Sequence, residues 1–330
     1  MKIHASILVM FSNYKGFYSF MRHLSNDCGH KFIDTSELCT SEIHDILWTS
    51  LDLKARVKNH SLGKPLEGST VTMLCSCQSR SDNLLVQSAL QALGADVLFM
   101  LGSRWEQYKF KKDIGKFCSL YSDLVVAGGR NHNSLCQLTE GTSVPVVNIA
   151  SHKFAPLHAL GVLMTLQEHF GRLTGLTLGW VGPMGKKLNT FICLLPKVGI
   201  HLKYNCSPTP NFPASPLVLP VGTNFCKTFN TRIEAFSDPL ATITGVDVIG
   251  TSKHKKETQK LELHMLERAN KNWIFFHILP RWEGEVSEDV FNHQNSLVWT
   301  LHENIKYTVM AVVLRLLKTY RPILVKPNFN

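Results

Sequence analysis

Between Thr70 and Gly94 the chain reads T-V-T-M-L-C-S-C-Q-S-R-S-D-N-L-L-V-Q-S-A-L-Q-A-L-G. The β-branched and apolar run Thr70 to Cys75, preceded by Gly68, predicts a buried strand. A polar run, Ser76 to Asn83, follows. Apolar residues then recur at Leu84, Leu85, Ala89, Ala92 and Leu93, which is helical spacing, with Gly94 at the C-cap position. A strand feeding a polar loop and then a helix aims backbone N–H groups at an anion. Such a loop gains from arginines, whose planar fork grips phosphate in a bidentate manner. Here it carries Arg80, with Asp82 two residues on. A carboxylate at a helix N-terminus is itself a cap and takes the place of an anion.

The strand-to-helix rhythm continues along the chain. Asp34 to His60 reads as helices, one of them opening on a Thr40 or Ser41 cap with Ile43, Ile46 and Leu47 on one face. Strands are predicted at Asp96–Leu101, Leu124–Ala127, Val144–Asn148, Leu176–Val181, Ile200–Tyr204, Val246–Ile249 and Trp273–His277. Helices are predicted at Trp105–Leu120, from Pro156 to Gly171, from about Leu188, and at Glu303–Tyr320. Five prolines at positions 208, 210, 213, 216 and 220 forbid a long helix between Ser207 and Pro220. The fold class expected is α/β: two doubly wound parallel-sheet domains facing a cleft and joined by interdomain helices. The divisions expected are a leader at 1–30, a first domain at 31–170, a second at 171–302, and a last helix at 303–330 that packs back on the first domain. Ligands of open α/β sheets lie at strand C-termini, here the loops after Cys75, Ala127, Val181, Ile249 and His277.

With 330 residues, 44% of them hydrophobic and 18% charged, the chain is long enough for two globular cores. No apolar run reaches the ~18 residues that cross a bilayer. The net charge of +10 admits polyanions as partners. Yet Lys109–Lys112 and Ser252–Lys256 are short and separate, without a repeated aromatic pattern between them, and read as solvated faces. Nine cysteines include no C-x-x-C pair, so free thiols in a reducing compartment are expected. A zinc site from Cys75, Cys77, His152 and His158 has no standard ligand spacing and is not expected. Gly182, Gly185 and Lys186 satisfy no complete nucleotide-loop pattern, and Lys186 and Lys187 read as solvated loop charges. Residues 1–30 are basic, serine-bearing and acid-poor before Asp27, the composition of a mitochondrial transit peptide, with a disordered tail as the other reading.

Several long segments resemble the ornithine carbamoyltransferase family. They are N-W-I-F-F-H-I-L-P-R at Asn272–Arg281, L-M-T-L-Q-E-H-F at Leu163–Phe170 and L-T-L-G-W-V-G at Leu176–Gly182. E-N-I-K-Y-T-V-M-A-V at Glu303–Val312, D-I-L-W-T-S-L-D-L-K at Asp45–Lys54 and the closing K-P-N-F agree as well. The resemblance runs from about residue 32 to residue 329 in one register. It implies a carbamoyl-phosphate domain followed by an amino-acid domain, a homotrimer with sites between subunits, mitochondrial import, and transfer of carbamoyl to ornithine without metal or organic cofactor.

The resemblance also implies which positions carry that chemistry, and here they depart from it. The family's S-T-R-T-R loop falls on Ser79, Arg80, Ser81, Asp82 and Asn83, so both arginines are replaced. The arginine after the third strand falls on Gly128, with Arg130 two residues on as a partial substitute. H-P-x-Q becomes Ala155-Pro156-Leu157-His158, with His158 filling a glutamine's space. In H-C-L-P the cysteine is Ile278, beside His277, Leu279 and Pro280, and the late arginine is Ile305. On the ornithine side Lys187 falls near an asparagine and Ser252 at an aspartate. A hydrogen bond to a charged group contributes roughly 1.5–3 kcal/mol. Losing three or four removes on the order of 5–10 kcal/mol, about 10⁴- to 10⁷-fold in binding or rate. The expectation is a catalytically inactive relative on a trimeric scaffold, alone or mixed with an active paralogue. The alternatives are a carbamoyltransferase with a rewired site and, third, a basic nucleic-acid-binding module.

Overall fold

The computed structural model describes residues 31–330 apart from 75–79, 101–104, 206–216, 254–259 and 319, with the Arg80 side chain also outside the description. The leader, the Pro-rich 207–216 stretch, Cys75, Cys77 and Ser79 therefore lie outside the described residues.

Ten strands are described in chain order: β1 Lys31–Phe32, β2 Thr70–Leu74, β3 Asp96–Phe99, β4 Leu124–Ala127, β5 Val146–Asn148, β6 Thr177–Trp180, β7 His201–Asn205, β8 Ile233–Phe236, β9 Val248–Ser252 and β10 Ile274–Ile278. Between them run α1 Thr40–Lys58, α2 Arg80–Leu93, α3 Lys111–Ser119, α4 His132–Thr139, α5 Pro156–Phe170, α6 Lys186–Leu194 and α7 Leu219–Phe229. The short α8 Pro239–Ile243, α9 Leu263–Leu266 and α10 Glu288–Phe291 precede the long α11 Val298–Leu317.

The strands form two five-stranded sheets, in the orders β1-β5-β4-β2-β3 and β10-β9-β6-β7-β8. Every pair from β2 to β5, and every pair in the second sheet, is parallel. Both sheets are thus the expected α/β arrangement, with strands such as β2, β4 and β10 buried because helices cover both faces. In the first sheet the order reverses between β2 and β4, and in the second between β6 and β9. At such switch points the loops leave strand C-termini in opposite directions and open a crevice.

Two helices hold the centre. α5 starts on Pro156, ends on Gly171 in the left-handed conformation (φ 70°), and is buried from Pro156 to Gln167. A helix apolar on all sides is a core helix. α11 packs along α5, α1 and α2. At the crossing of α5 and α11, Gly161 leaves the room that Ile305 fills: a Cβ there would stand 2.4 Å from Ile305 Cγ1. The C-terminus is tied down by Asp52, which accepts from Tyr320 Oη at 2.6 Å and from the Ile323 and Leu324 N–H groups at 3.0 Å.

Several expected elements differ. Asp34–His60 holds one helix, α1, capped not by Thr40 or Ser41 but by Cys39, whose N–H donates to Glu42 Oε2 at 2.8 Å. The reach-back carboxylate satisfies the free N–H and moves the start by one residue. Trp105–Leu120 is a 3-10 turn at Trp105–Gln107 and then α3. Trp105 is buried with its Nε1 donating to Gly128 O at 3.2 Å, which pins it to the sheet rather than to a helix. α2 begins at Arg80, inside the stretch expected to be loop. α11 runs Val298–Leu317, starting earlier than expected, with Val298 and Leu301 buried, and ending sooner, where Lys318 turns extended.

Candidate active-site cleft

One wall of the crevice comes from the first sheet. β2 is an inner, buried strand, and α2 starts shortly after it, so Ser81 and Asp82 occupy the first helical turn. Asp82 Oδ1 lies 3.2 Å from His158 Nε2, with both side chains largely buried. His158 sits in the first turn of α5, which is oriented by the Ala155 N–H donating to Thr190 Oγ1 at 2.9 Å. Burial would raise the Asp82 carboxyl, but the charge and hydrogen bond of His158, with Lys186 and Lys187, outweigh it and bring Asp82 down to about 2. Asp82 is therefore ionised at the positive end of α2. His158 does more than fill a glutamine's space, since it is the partner that keeps this carboxylate charged.

The opposite wall belongs to the second sheet. After β6 the chain turns through Pro183, whose carbonyl accepts from Trp180 Nε1 at 3.3 Å, to Gly185. Gly185 precedes α6 at φ 150°, a backbone shape that a side chain would strain. Lys186 and Lys187 are the first two residues of α6, not loop charges. Lys187 Nζ points back to Ile278 O at 3.4 Å. Burial and then the adjacent Lys186 charge lower its amine to about 7, against the opposing pull of Asp82 and Glu285.

The floor comes from β9 and β10. Ser252, at the end of β9, is buried, and Lys253 places its Nζ 3.5 Å from the centre of the Trp282 ring. His277 Nε2 and Glu285 Oε2 are 2.9 Å apart and buried, and Glu285 Oε2 also accepts the Trp282 N–H at 2.8 Å. The Leu279 N–H donates to His302 Nε2 at 3.1 Å, and the same nitrogen lies 3.3 Å from His277 O. Burial, followed by the His158 charge, lowers His302 to about 4 and keeps it neutral.

These parts enclose a cleft of about 310 Å³. Of the residues singled out in the sequence, Ser81, Asp82, His158, Lys187, Ser252 and Leu279 line it. His277 is not among the lining residues and has no exposed surface. Ile278, Ala155 and Ile305 are fully buried in the packing behind it, and Asn83 is part-buried further along α2. Gly128 and Arg130 are not among the lining residues. The loop that carries them is held by Glu106, whose carboxylate accepts the Arg130 N–H at 2.9 Å and the Asn131 N–H at 2.7 Å. Among the described residues no group of His, Cys, Asp and Glu side chains is placed to hold a metal ion, and no helix is long and apolar enough to cross a membrane.

Sequence reasoning missed the Asp82–His158 pair and Glu106. A signal for the first existed: both residues replace members of motifs that the resemblance brings around one ligand, and their charges are complementary. Glu106 lies outside any motif and carried no such signal.

Comparison with known proteins follows the same division. Residues 30–168 match the aspartate/ornithine carbamoyltransferase, carbamoyl-P binding domain, and residues 174–316 match the Asp/Orn binding domain of the same family. The mitochondrial ornithine carbamoyltransferase of Aquarana catesbeiana is 30% identical over 333 aligned residues, covering 94% of this chain and 93% of that protein. The mitochondrial ornithine transcarbamylase of Gallus gallus is 29% identical, covering 91% and 89%. In fold, the ornithine carbamoyltransferase of Pyrococcus furiosus superposes with a TM-score of 0.84 at 22% identity, over 89% of this chain and 98% of that one. With both family domains matched in order and at nearly full length, the chain belongs to the aspartate/ornithine carbamoyltransferase family.

Proposed function

We propose that this chain keeps the carbamoyltransferase scaffold and has lost carbamoyl transfer to ornithine. The observation that carries the reading is the ionised Asp82 at the start of α2, paired with His158 at 3.2 Å. A phosphate brought to that helix start meets a carboxylate already there. At 4 Å and an effective dielectric of about 20, each pair of like unit charges costs ~4 kcal/mol. The replacements add to this. Ile278 and Ile305 offer no polar side-chain atom at the positions where the family places a cysteine and an arginine, and a second carboxylate, Glu106, holds the Gly128 loop. The test is citrulline formation from carbamoyl phosphate and ornithine. The reading expects none above the uncatalysed rate, and turnover comparable to an active relative contradicts it.

Assembly as a trimer, alone or mixed with an active paralogue, is the second part of the proposal. Its support is exposed apolar surface on the edge strand β3, where Leu98 and Phe99 are 46% and 38% exposed, and on α2, where Leu84 is 71% exposed. Apolar side chains on a sheet edge favour a protein partner over water. Mitochondrial import is proposed from the acid-poor composition of residues 1–30 and from the two relatives named as mitochondrial. The rewired-transferase reading has one favourable observation, the amine of Lys187 in the cleft.

A further inference from the structure

Lys186 and Lys187 stand side by side where the cleft meets the start of α6. Adjacent like charges at the positive end of a helix both disfavour the protonated amine. The groups around Lys187 come from every wall. Lys186 precedes it on α6, Asp82 faces it from α2, His158 from α5 and Lys253 from the end of β9. Behind lie Ile278 O and Glu285, and His302 reaches in from α11. The two carboxylates favour charge on the amine, but burial and Lys186 outweigh them and hold it at about 7. Nζ is thus a neutral nucleophile in a substantial fraction of molecules at neutral pH, beside open space of about 310 Å³.

We propose that Lys187 is an internal carbamoyl acceptor, its Nζ taking a carbamoyl group from a small carbamoyl electrophile that enters the cleft. The proposal rests on the reading that Asp82 fills the anion position, because a neutral donor such as isocyanic acid needs no anion site. In that step the Nζ lone pair forms the new N–C bond. The C=N π pair moves to the donor nitrogen, which takes up the proton Nζ gives up, and no group leaves. With carbamoyl phosphate the same N–C bond forms, the C–O bond breaks, phosphate leaves and the Nζ proton passes to solvent. The product is a neutral N-carbamoyl-lysine facing Asp82.

The test exposes the full-length folded protein to potassium cyanate at pH 7 and follows carbamoylation of each lysine by peptide mass spectrometry. An ordinary lysine, with a pKa of about 10.4, is neutral in fewer than about one molecule in 10³ at that pH. Lys187 is therefore expected to react at least about tenfold faster than the exposed lysines, after allowing for the weaker nucleophilicity of a less basic amine. The preference should disappear in urea, and Lys186→Met should slow Lys187 at pH 7 by returning its pKa towards the ordinary value. Reaction of Lys187 no faster than exposed lysines, or a rate that Lys186→Met leaves unchanged, overturns the proposal. A parallel arm with carbamoyl phosphate separates the two donors. Labelling no faster than its released cyanate allows fits both readings. Direct, faster labelling keeps Lys187 as acceptor but overturns the reading that the anion position is closed.

Discussion

Asp82 Oδ1 and His158 Nε2 lie 3.2 Å apart and join the first turn of α2 to the first turn of α5. The two helix starts are here bridged by the chain's own side chains. Asp82 is lowered from 3.8 to about 2, so it contributes stability above its unfolded pKa and loses that contribution as pH falls from about 4 to about 2. Asp82→Asn should cost roughly 2 kcal/mol at pH 7, and the difference should narrow as the pH falls below 4. Urea unfolding across that range measures it, and a pH-independent difference contradicts the pairing.

Lys187 has the opposite sign. Its folded pKa of about 7 lies below the unfolded value, so its burial costs stability below pH 7, and the cost fades as pH rises towards 10. Part of the side chain remains exposed, which reduces the effect. Lys187→Met should stabilise by roughly 1–2 kcal/mol at pH 6 and by little at pH 10. Thermal melts at the two pH values check this, and destabilisation at pH 6 would contradict it.

A second lysine plays a structural part. Lys197 is buried and donates to Thr35 O at 2.9 Å, Ser36 O at 2.6 Å and Leu38 O at 2.8 Å, with its Nζ 4.3 Å from the centre of the Phe225 ring. Lys197→Met leaves three carbonyls without that donor and should cost on the order of 3 kcal/mol. Hydrogen exchange should localise the loosening to the segment before α1.

The Gly161–Ile305 contact fixes the approach of α5 to α11. Gly161→Ala should destabilise by roughly 1–3 kcal/mol through overpacking. Combined with Ile305→Ala, which removes the Cγ1 that the new methyl meets, it should recover part of that loss relative to the sum of the single mutants, and simple additivity in the double mutant would show the two sites to be independent.

The sheets were legible because parallel strands buried on both faces leave continuous apolar runs, as in L-V-V-A at Leu124–Ala127 and I-F-F-H-I at Ile274–Ile278. α4 was not, because H-N-S-L-C-Q-L-T is polar and short, and its start depends on Asn131 Oδ1 accepting the Asn133 N–H at 2.9 Å. β8 was missed for a similar reason: I-E-A-F is an edge strand whose alternation is weak. In the site, the suspicion against Asp82 came from local chemistry, a carboxylate at a helix start. Its partner His158 lies 76 positions away in the numbering, and no local pattern reports such a pairing. The environment of Lys187 was likewise invisible, because the carbonyl it approaches belongs to β10.

The closed anion position is tested most directly by a thermal-shift titration of the protein with a carbamoyl-phosphate–ornithine bisubstrate analogue. A ligand bound only by the folded state raises stability by RT ln(1 + [L]/Kd), about 2.7 kcal/mol at 100 Kd. The account predicts a sharp melt that millimolar analogue leaves unmoved. A saturable upward shift would mean that the cleft still binds the two substrates' chemistry, and the reading of Asp82 and His158 as its permanent occupants would fall.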